Sequence, residues 1–385
     1  MKKIVIAMDS FKGSLSAGEV VDVVAESFEE LFPEAEIRRI PVSDGGEGVL
    51  SVLMERYGGS YRTVEVCDPL QRPMKASYGL LDDGQTALIE MAAASGLTLV
   101  PEEKRNPLYT TSYGTGQLIA DALDQGCSTC IIGLGGSATN DAAIGMLQAL
   151  GFKFLDREGS ELSVGRGELL PLVFDVDASQ VHPGVYRTRF IIITDVRNPF
   201  YGPEGAAQVF ASQKGANERN VGFLDDGLKH FAEVVYRKTG DNLMNVPGSG
   251  AAGGAGGGLL AFLKAELRPG IDFILEALDV PSQLLGADLV VTGEGKADRQ
   301  TGMGKVAYGV LCAAQKQQIP VILLAGGVTD RTALFDMGFE AVFSSTPYPM
   351  SLSEAMNPST AKKNLKETAA SVARLIRLAE QSKES

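Results

Sequence analysis

Both ends of this chain alternate strand-length apolar runs with helix-length amphipathic stretches, and that alternation constrains the fold more than any other feature. Residues 3–8 form an apolar run that reads as a buried strand. Residues 17–31 put Val20, Val23, Val24, Phe28 and Leu31 on one helical face. Ser16 precedes them as N-cap, Glu19 completes a capping box, and Pro33 ends the helix. A second strand is expected over 36–42 and a second helix over 46–57, stopped by Gly58-Gly59. The C-terminal part repeats the style, with strands at 287–292, 320–325 and 340–343 and helices at 304–317 and 360–380. Such alternation implies a mostly parallel sheet covered on both faces.

The middle of the chain differs. Short alternating runs at 61–66, 75–81 and 86–91, separated by Pro69, Pro73 and Asp82-Asp83-Gly84, predict antiparallel strands with tight turns. Helices near 112–125, 141–150, 217–237 and 252–265 follow, with strands near 128–133 and 189–195 among them. The fold class is therefore α/β, with a second α/β domain inserted into the first. The expected division is 1–65 plus 286–385 for the outer domain and 66–285 for the inserted one.

Composition narrows the function. The 385 residues carry a net charge of −13, and no basic face or basic amphipathic helix is visible, which argues against nucleic acid and membrane surfaces as partners. The N-terminal apolar run is broken by Asp9 and Lys12, too early for a signal peptide, and no apolar run reaches spanning length, so a cytoplasmic location is expected. Cys127 and Cys130 have CxxC spacing. Without a second pair, and with His182 and His230 at no ligand spacing, they read as small apolar residues entering a strand.

Glycines cluster where strands end: Ser43-Asp44-Gly45-Gly46-Glu47-Gly48, Gly133 to Asp141, Gly248 to Gly258, Thr292-Gly293-Glu294-Gly295-Lys296 and Ala325-Gly326-Gly327. Glycine lets backbone N–H groups approach a ligand, and loops of this kind before helix N-termini suit anions. Tight turns are the plain alternative for any one loop; five, three of them with acidic residues, point to phosphate. No Walker A motif is present, and Asp9 to Ser14 stands where a dinucleotide GxGxxG would follow the first strand. Asp9, Asp44, Asp195, Glu294 and Asp298 each lie at or after a predicted strand end, and Lys12, Lys296 and Lys305 could neutralise phosphate charge. Helix capping or a solvated turn is the plain reading of any single carboxylate, Asp44 and Asp141 above all.

Taken in order, six stretches resemble the bacterial glycerate kinase family, type 1. They are Met8 to Ser16, Pro41 to Gly48, Gly133 to Asp141, Thr194-Asp195-Val196-Arg197-Asn198-Pro199, Gly253 to Leu259, and Thr292 to Asp298 with Gly304-Lys305. The resemblance spans essentially the whole chain. It implies a Rossmann-like domain built from both chain ends with an unrelated α/β domain inserted, and ATP-dependent phosphorylation of D-glycerate to 2-phosphoglycerate. On that basis Ser43, Gly45, Gly46, Glu47, Asp9 and Lys12 are expected to hold glycerate. Asp195 is expected to orient the attacking hydroxyl, with Asp44 as second choice. Gly135, Gly136, Ser137, Asn140, Gly254, Gly256, Gly257 and Lys296 are expected to meet ATP, and Glu294 and Asp298 to hold Mg²⁺. An inter-domain cleft is the natural place for transfer, since closure excludes water. The family carries glycines after Asn140-Asp141, where this chain has Ala142-Ala143.

Alternatives stay open. Transfer to the 3-hydroxyl would give 3-phosphoglycerate. A dehydrogenase for a small hydroxy acid shares the parallel sheet but lacks its fingerprint. A non-catalytic glycerate sensor would be expected to lose the carboxylates or gain a DNA-binding segment. A monomer or weak homodimer is expected.

Overall fold

In the computed structural model, residues 1–42, 49–302 and 304–384 are described. The strands are β1 Lys3–Met8, β2 Glu36–Pro41, β3 Gly59–Cys67, β4 Pro73–Leu81, β5 Thr86–Glu90, β6 Thr129–Gly133, β7 Lys153–Leu155, β8 Asp175–Asp177, β9 Arg189–Ile193, β10 Glu266–Arg268, β11 Leu289–Ala297, β12 Val321–Val328 and β13 Ala341–Ser344. The chain divides into two compact units, Met1–Asp44 with Gly270–Ser385, and Gly45–Pro269. The sequence placed these passages near 65 and 285. Helix Val49–Tyr57 packs on β3, β4 and β5, and helices Gly270–Ala277 and Val280–Leu284 pack against Val306–Gln315, which accounts for the difference.

In the unit made from both chain ends, the five strands run in parallel in the order β13-β12-β11-β1-β2. β1 is buried from Ile4 to Met8, as a central parallel strand must be. Helix Ala17–Glu29 covers one face and begins with the expected capping box: the Glu19 amide donates to Ser16 Oγ, and the Ser16 amide donates to the Glu19 carboxylate. Its Val20, Val24 and Phe28 share a core with Leu365, Ala369 and Val372 of the last helix, Pro358–Glu384.

One strand runs further than its sequence suggests. β11 was expected to stop at Thr292, where glycines begin; it continues to Ala297, pairing Glu294 with Ala325 and Lys296 with Gly327 of β12. The glycines are the reason the pairing holds. A Cβ at Gly293 would overlap the Leu324 carbonyl, and one on Gly326 would crowd Gly295 O at 2.5 Å. Strand alternation then sends Thr292, Glu294 and Lys296 to one face.

The other unit has a six-stranded sheet, β10-β9-β6-β5-β4-β3. The four strands from β10 to β5 are parallel, and β4 and β3 add antiparallel as expected. A hydrophobic core including Ile132, Ile192, Phe154, Phe200 and Phe231 lies against it. The β7-β8 pair and β10 were not anticipated; each is three residues long, too short for a periodic signal. The expected helix at 252–265 begins irregularly. Ala252, Gly253 and Gly254 have φ of 53°, 69° and 87°, and the Ala142 amide donates to the Gly253 carbonyl at 3.1 Å. Ala142 and Ala143 have φ of 51° and 63°, the left-handed conformation that favours glycine.

Helix Val306–Gln315 ends in a left-handed residue, exposed Gln318 with φ 59°, while the Ile319 amide caps Ala314 O at 3.1 Å. A left-handed non-glycine residue costs roughly 1–2 kcal/mol. Glycine's greater freedom in the unfolded chain returns about 0.5–1 kcal/mol of that. Gln318→Gly is therefore expected to stabilise the protein by about 0.5–1 kcal/mol, read as a rise in the urea midpoint. A lowered midpoint would contradict this reading of the cap.

Candidate active site

The carboxyl ends of β1, β11, β12 and β13 frame a pocket of about 880 Å³ within the unit made from both chain ends. Ligands of open parallel sheets bind at this edge. Asp9 follows β1 directly. Its amide donates to Gly293 O at 3.0 Å, and its carboxylate accepts from the Ser10 amide at 2.7 Å. Lys12 lies in the next turn, and Glu294, Gly295, Lys296 and Lys305 complete the polar side. Phe11, Pro347, Tyr348, Pro349, Leu352 and Met356 form an apolar side.

Glu294 is the organising group. It is 4% exposed, and it accepts from Thr301 Oγ1 at 2.6 Å and from Lys305 Nζ at 2.7 Å. Burial pushes its carboxyl above the ordinary value, against the lowering pull of Lys305 and Thr301. Thr301 is itself oriented, since its hydroxyl oxygen accepts from the Asp298 amide at 3.1 Å. Lys305 also donates to Lys296 O at 3.2 Å. Among the described residues, two of its three ammonium protons are thus committed, which leaves the third for an anion.

The carboxylates expected to hold Mg²⁺ do not form a ready ligand set. Both Glu294 oxygens are engaged, one by the Lys305 ammonium that stands where a cation would. Asp298 accepts from the Gln300 amide at 2.9 Å and pairs with Lys296 Nζ at 3.1 Å. Although burial works to raise it, the Asp298 carboxyl is held below its ordinary value by the Gln300 amide and by Lys296 and Lys305. Among the described residues, no group of three or more His, Cys, Asp or Glu side chains could hold a metal.

Of the other expected residues, Lys296 lines the pocket, and Gly135, Gly136, Ser137, Asn140, Asp195, Gly254, Gly256 and Gly257 belong to the inserted unit. Ser43, Asp44, Gly45, Gly46 and Glu47 lie outside the described residues. Asp195 is exposed just beyond β9, and the neighbouring β6 leads into Gly135 and Gly136, also exposed. Ser137 and Asn140 are buried. The glycines expected to meet ATP at 254, 256 and 257 have an internal explanation. A Cβ would crowd Phe200 or Leu228 at Gly254, Gly248 O at Gly256, and Phe200 at Gly257. All three are buried, so close helix packing is the reason for glycine there.

Sequence reasoning missed Lys214. It is buried beneath this loop, donating to Ser137 Oγ at 2.8 Å and Thr139 O at 2.6 Å. Burial pushes its pKa down to about 7, with Asp141 pulling the other way. Asp141 is buried too. Burial raises its carboxyl, opposed by hydrogen bonds from Ser112 and the Gly145 amide. Nothing in the local sequence Ser212-Gln213-Lys214-Gly215 announces this role; only tertiary packing creates it.

Known proteins resemble this chain over nearly its whole length. The sequence model of the Glycerate kinase family matches residues 4–377. A glycerate kinase of Bacillus subtilis is 45% identical, with 98% of each chain aligned. A glycerate 2-kinase of Escherichia coli is 47% identical over 89% of this chain and 90% of its own. The crystal structure of a Salmonella typhimurium LT2 protein provisionally named glycerate kinase 2 superposes with a TM-score of 0.87, at 42% identity and 99% coverage of both chains. Matched over nearly its whole length in sequence and in structure, the chain belongs to the glycerate kinase family.

Proposed function

We propose that this protein transfers the γ-phosphoryl group of ATP to the 2-hydroxyl of D-glycerate, releasing ADP and 2-phosphoglycerate. The observation that carries the reading is the cluster of Lys12, Lys296 and Lys305 around buried Asp9 and Glu294 at the carboxyl edge of a parallel sheet. Phosphoryl transfer asks little covalent chemistry of a protein; it needs positioning and cations on the phosphate oxygens. Glu294 supplies the positioning by fixing Lys305, whose remaining proton is offered to a phosphate oxygen.

The acceptor half is assigned to Asp195, with Ser43, Gly45, Gly46 and Glu47 as holders of glycerate. Asp195 orients the hydroxyl and takes its proton as the new P–O bond forms and the bond from Pγ to the ADP oxygen breaks. Magnesium is proposed to arrive on the nucleotide's phosphates. There it would supply positive charge to the phosphate oxygens; Glu294 and Asp298, each bonded to a lysine, are not assigned to hold it. The 2-position follows the name of the Escherichia coli relative.

ADP release should depend on glycerate, and NMR of the product should show 2-phosphoglycerate. Release that ignores glycerate, or a 3-phosphoglycerate product, would contradict the proposal. Asp195→Asn is expected to lower kcat by at least a hundredfold, about 2.7 kcal/mol of barrier; a change within threefold would remove Asp195 from the mechanism. Lys305→Met should lower kcat/KM by a similar factor. Near-normal turnover would show that the Glu294–Lys305 pair has no part in the reaction.

A further inference from the structure

The pocket is too large for its polar end alone. Its 880 Å³ lies in the range of sites for drug-sized ligands, roughly 300–1,000 Å³. A three-carbon acid would leave most of it empty. The charged residues Lys12, Lys296 and Lys305 occupy one part of its lining; Pro347, Tyr348, Leu352 and Met356 supply an apolar part. Tyr348 is 54% exposed and Leu352 76%, so this wall presents its side chains without being covered by the fold. A ligand with a flat apolar end and a polyanionic end matches that division.

Asn364, from the helix Pro358–Glu384, sharpens the match. It lines the pocket and is 7% exposed. Among the described residues its carboxamide has one contact, Nδ2 to Met350 Sδ at 4.0 Å, at the limit for a bond to sulfur. A buried carboxamide normally has real hydrogen-bond partners. This one offers a donor and an acceptor side by side.

Resting on the ATP-dependent activity proposed above, we infer that the nucleotide binds in this pocket, its adenine against Tyr348 and read by Asn364, its phosphates at the lysines. A carboxamide pairs with the adjacent amino donor and ring-nitrogen acceptor of an adenine edge. The same edge of guanine offers two acceptors and fits worse. A carboxylate at this position would reverse the preference, since it takes the two N–H donors on guanine's other edge. This places ATP in the unit built from both chain ends, where the sequence had suggested the glycine loops of the inserted one.

The test measures ADP affinity by calorimetry alongside steady-state kinetics with ATP and GTP. Asn364→Asp should raise the ATP KM at least tenfold, leave the glycerate KM within twofold, and raise the GTP-to-ATP ratio of kcat/KM at least tenfold. Tyr348→Ala, an exposed and structurally mild change, should weaken ADP binding at least tenfold, while Tyr348→Phe keeps it. Unchanged ADP affinity in Tyr348→Ala, or a rise in glycerate KM with ATP KM unmoved, overturns the inference. The two claims fail separately. A wild-type protein that binds ADP but never turns over glycerate, with binding still lost in Tyr348→Ala, refutes the activity and leaves the nucleotide site standing.

Discussion

The close approach of β11 to β12 is the constraint on which the candidate site depends. Gly293 lies under the Leu324 carbonyl, and Gly326 against Gly295, at separations that leave no room for a side chain. With those contacts the pairing runs on to Ala297, and Glu294 and Lys296 become strand residues with fixed directions. Had the strand ended at Thr292, both would sit on a loop free to choose its own geometry. Rigid elements hold charged groups more accurately than loops do.

Electrostatics builds on that frame. A carboxylate as buried as Glu294 is tolerated because a hydroxyl and an ammonium bond it. The same pairing fixes Lys305 at the mouth of the helix Val306–Gln315, facing the pocket. A buried pair of this kind adds little stability by itself, because desolvation offsets its Coulomb energy. Its value lies in holding a positive charge where phosphate is expected, at no reorganisation cost when ligand arrives. Lys214 in the inserted unit is likewise held by its bonds, here to the loop at 137–139. Its depressed pKa marks how thoroughly that loop encloses it.

Much of this was legible in the sequence, for physical reasons. Apolar runs of strand length announced the parallel sheets, because central strands must be apolar on both faces. Ser16 and Glu19 announced a helix start, because capping is local chemistry. Asp9 and Glu294 were legible as strand-end carboxylates and Lys12 and Lys305 as candidate cations for phosphate, and the fold brings them to one pocket. What failed to show is equally instructive. Glycine serves both ligand approach and close packing, and a sequence cannot distinguish the two. At Gly254, Gly256 and Gly257 a Cβ would crowd neighbouring atoms, so packing alone accounts for glycine there. Ala142 and Ala143 adopt the left-handed backbone that glycine would take more easily; both are buried, and a Cβ on Gly258 would overlap the Ala142 carbonyl. Lys214 and Asn364 carry no local signature, because their burial is made by residues far away in sequence.

The central claim is that the lysine cluster beside Glu294 receives the nucleotide's phosphates. A crystal structure with a non-hydrolysable ATP analogue tests it most directly. Phosphate oxygens within hydrogen-bonding distance of Lys12, Lys296 or Lys305, with the base against Tyr348, is the expected result. An analogue bound instead at Gly135-Gly136, with the lysine pocket untouched, would contradict it.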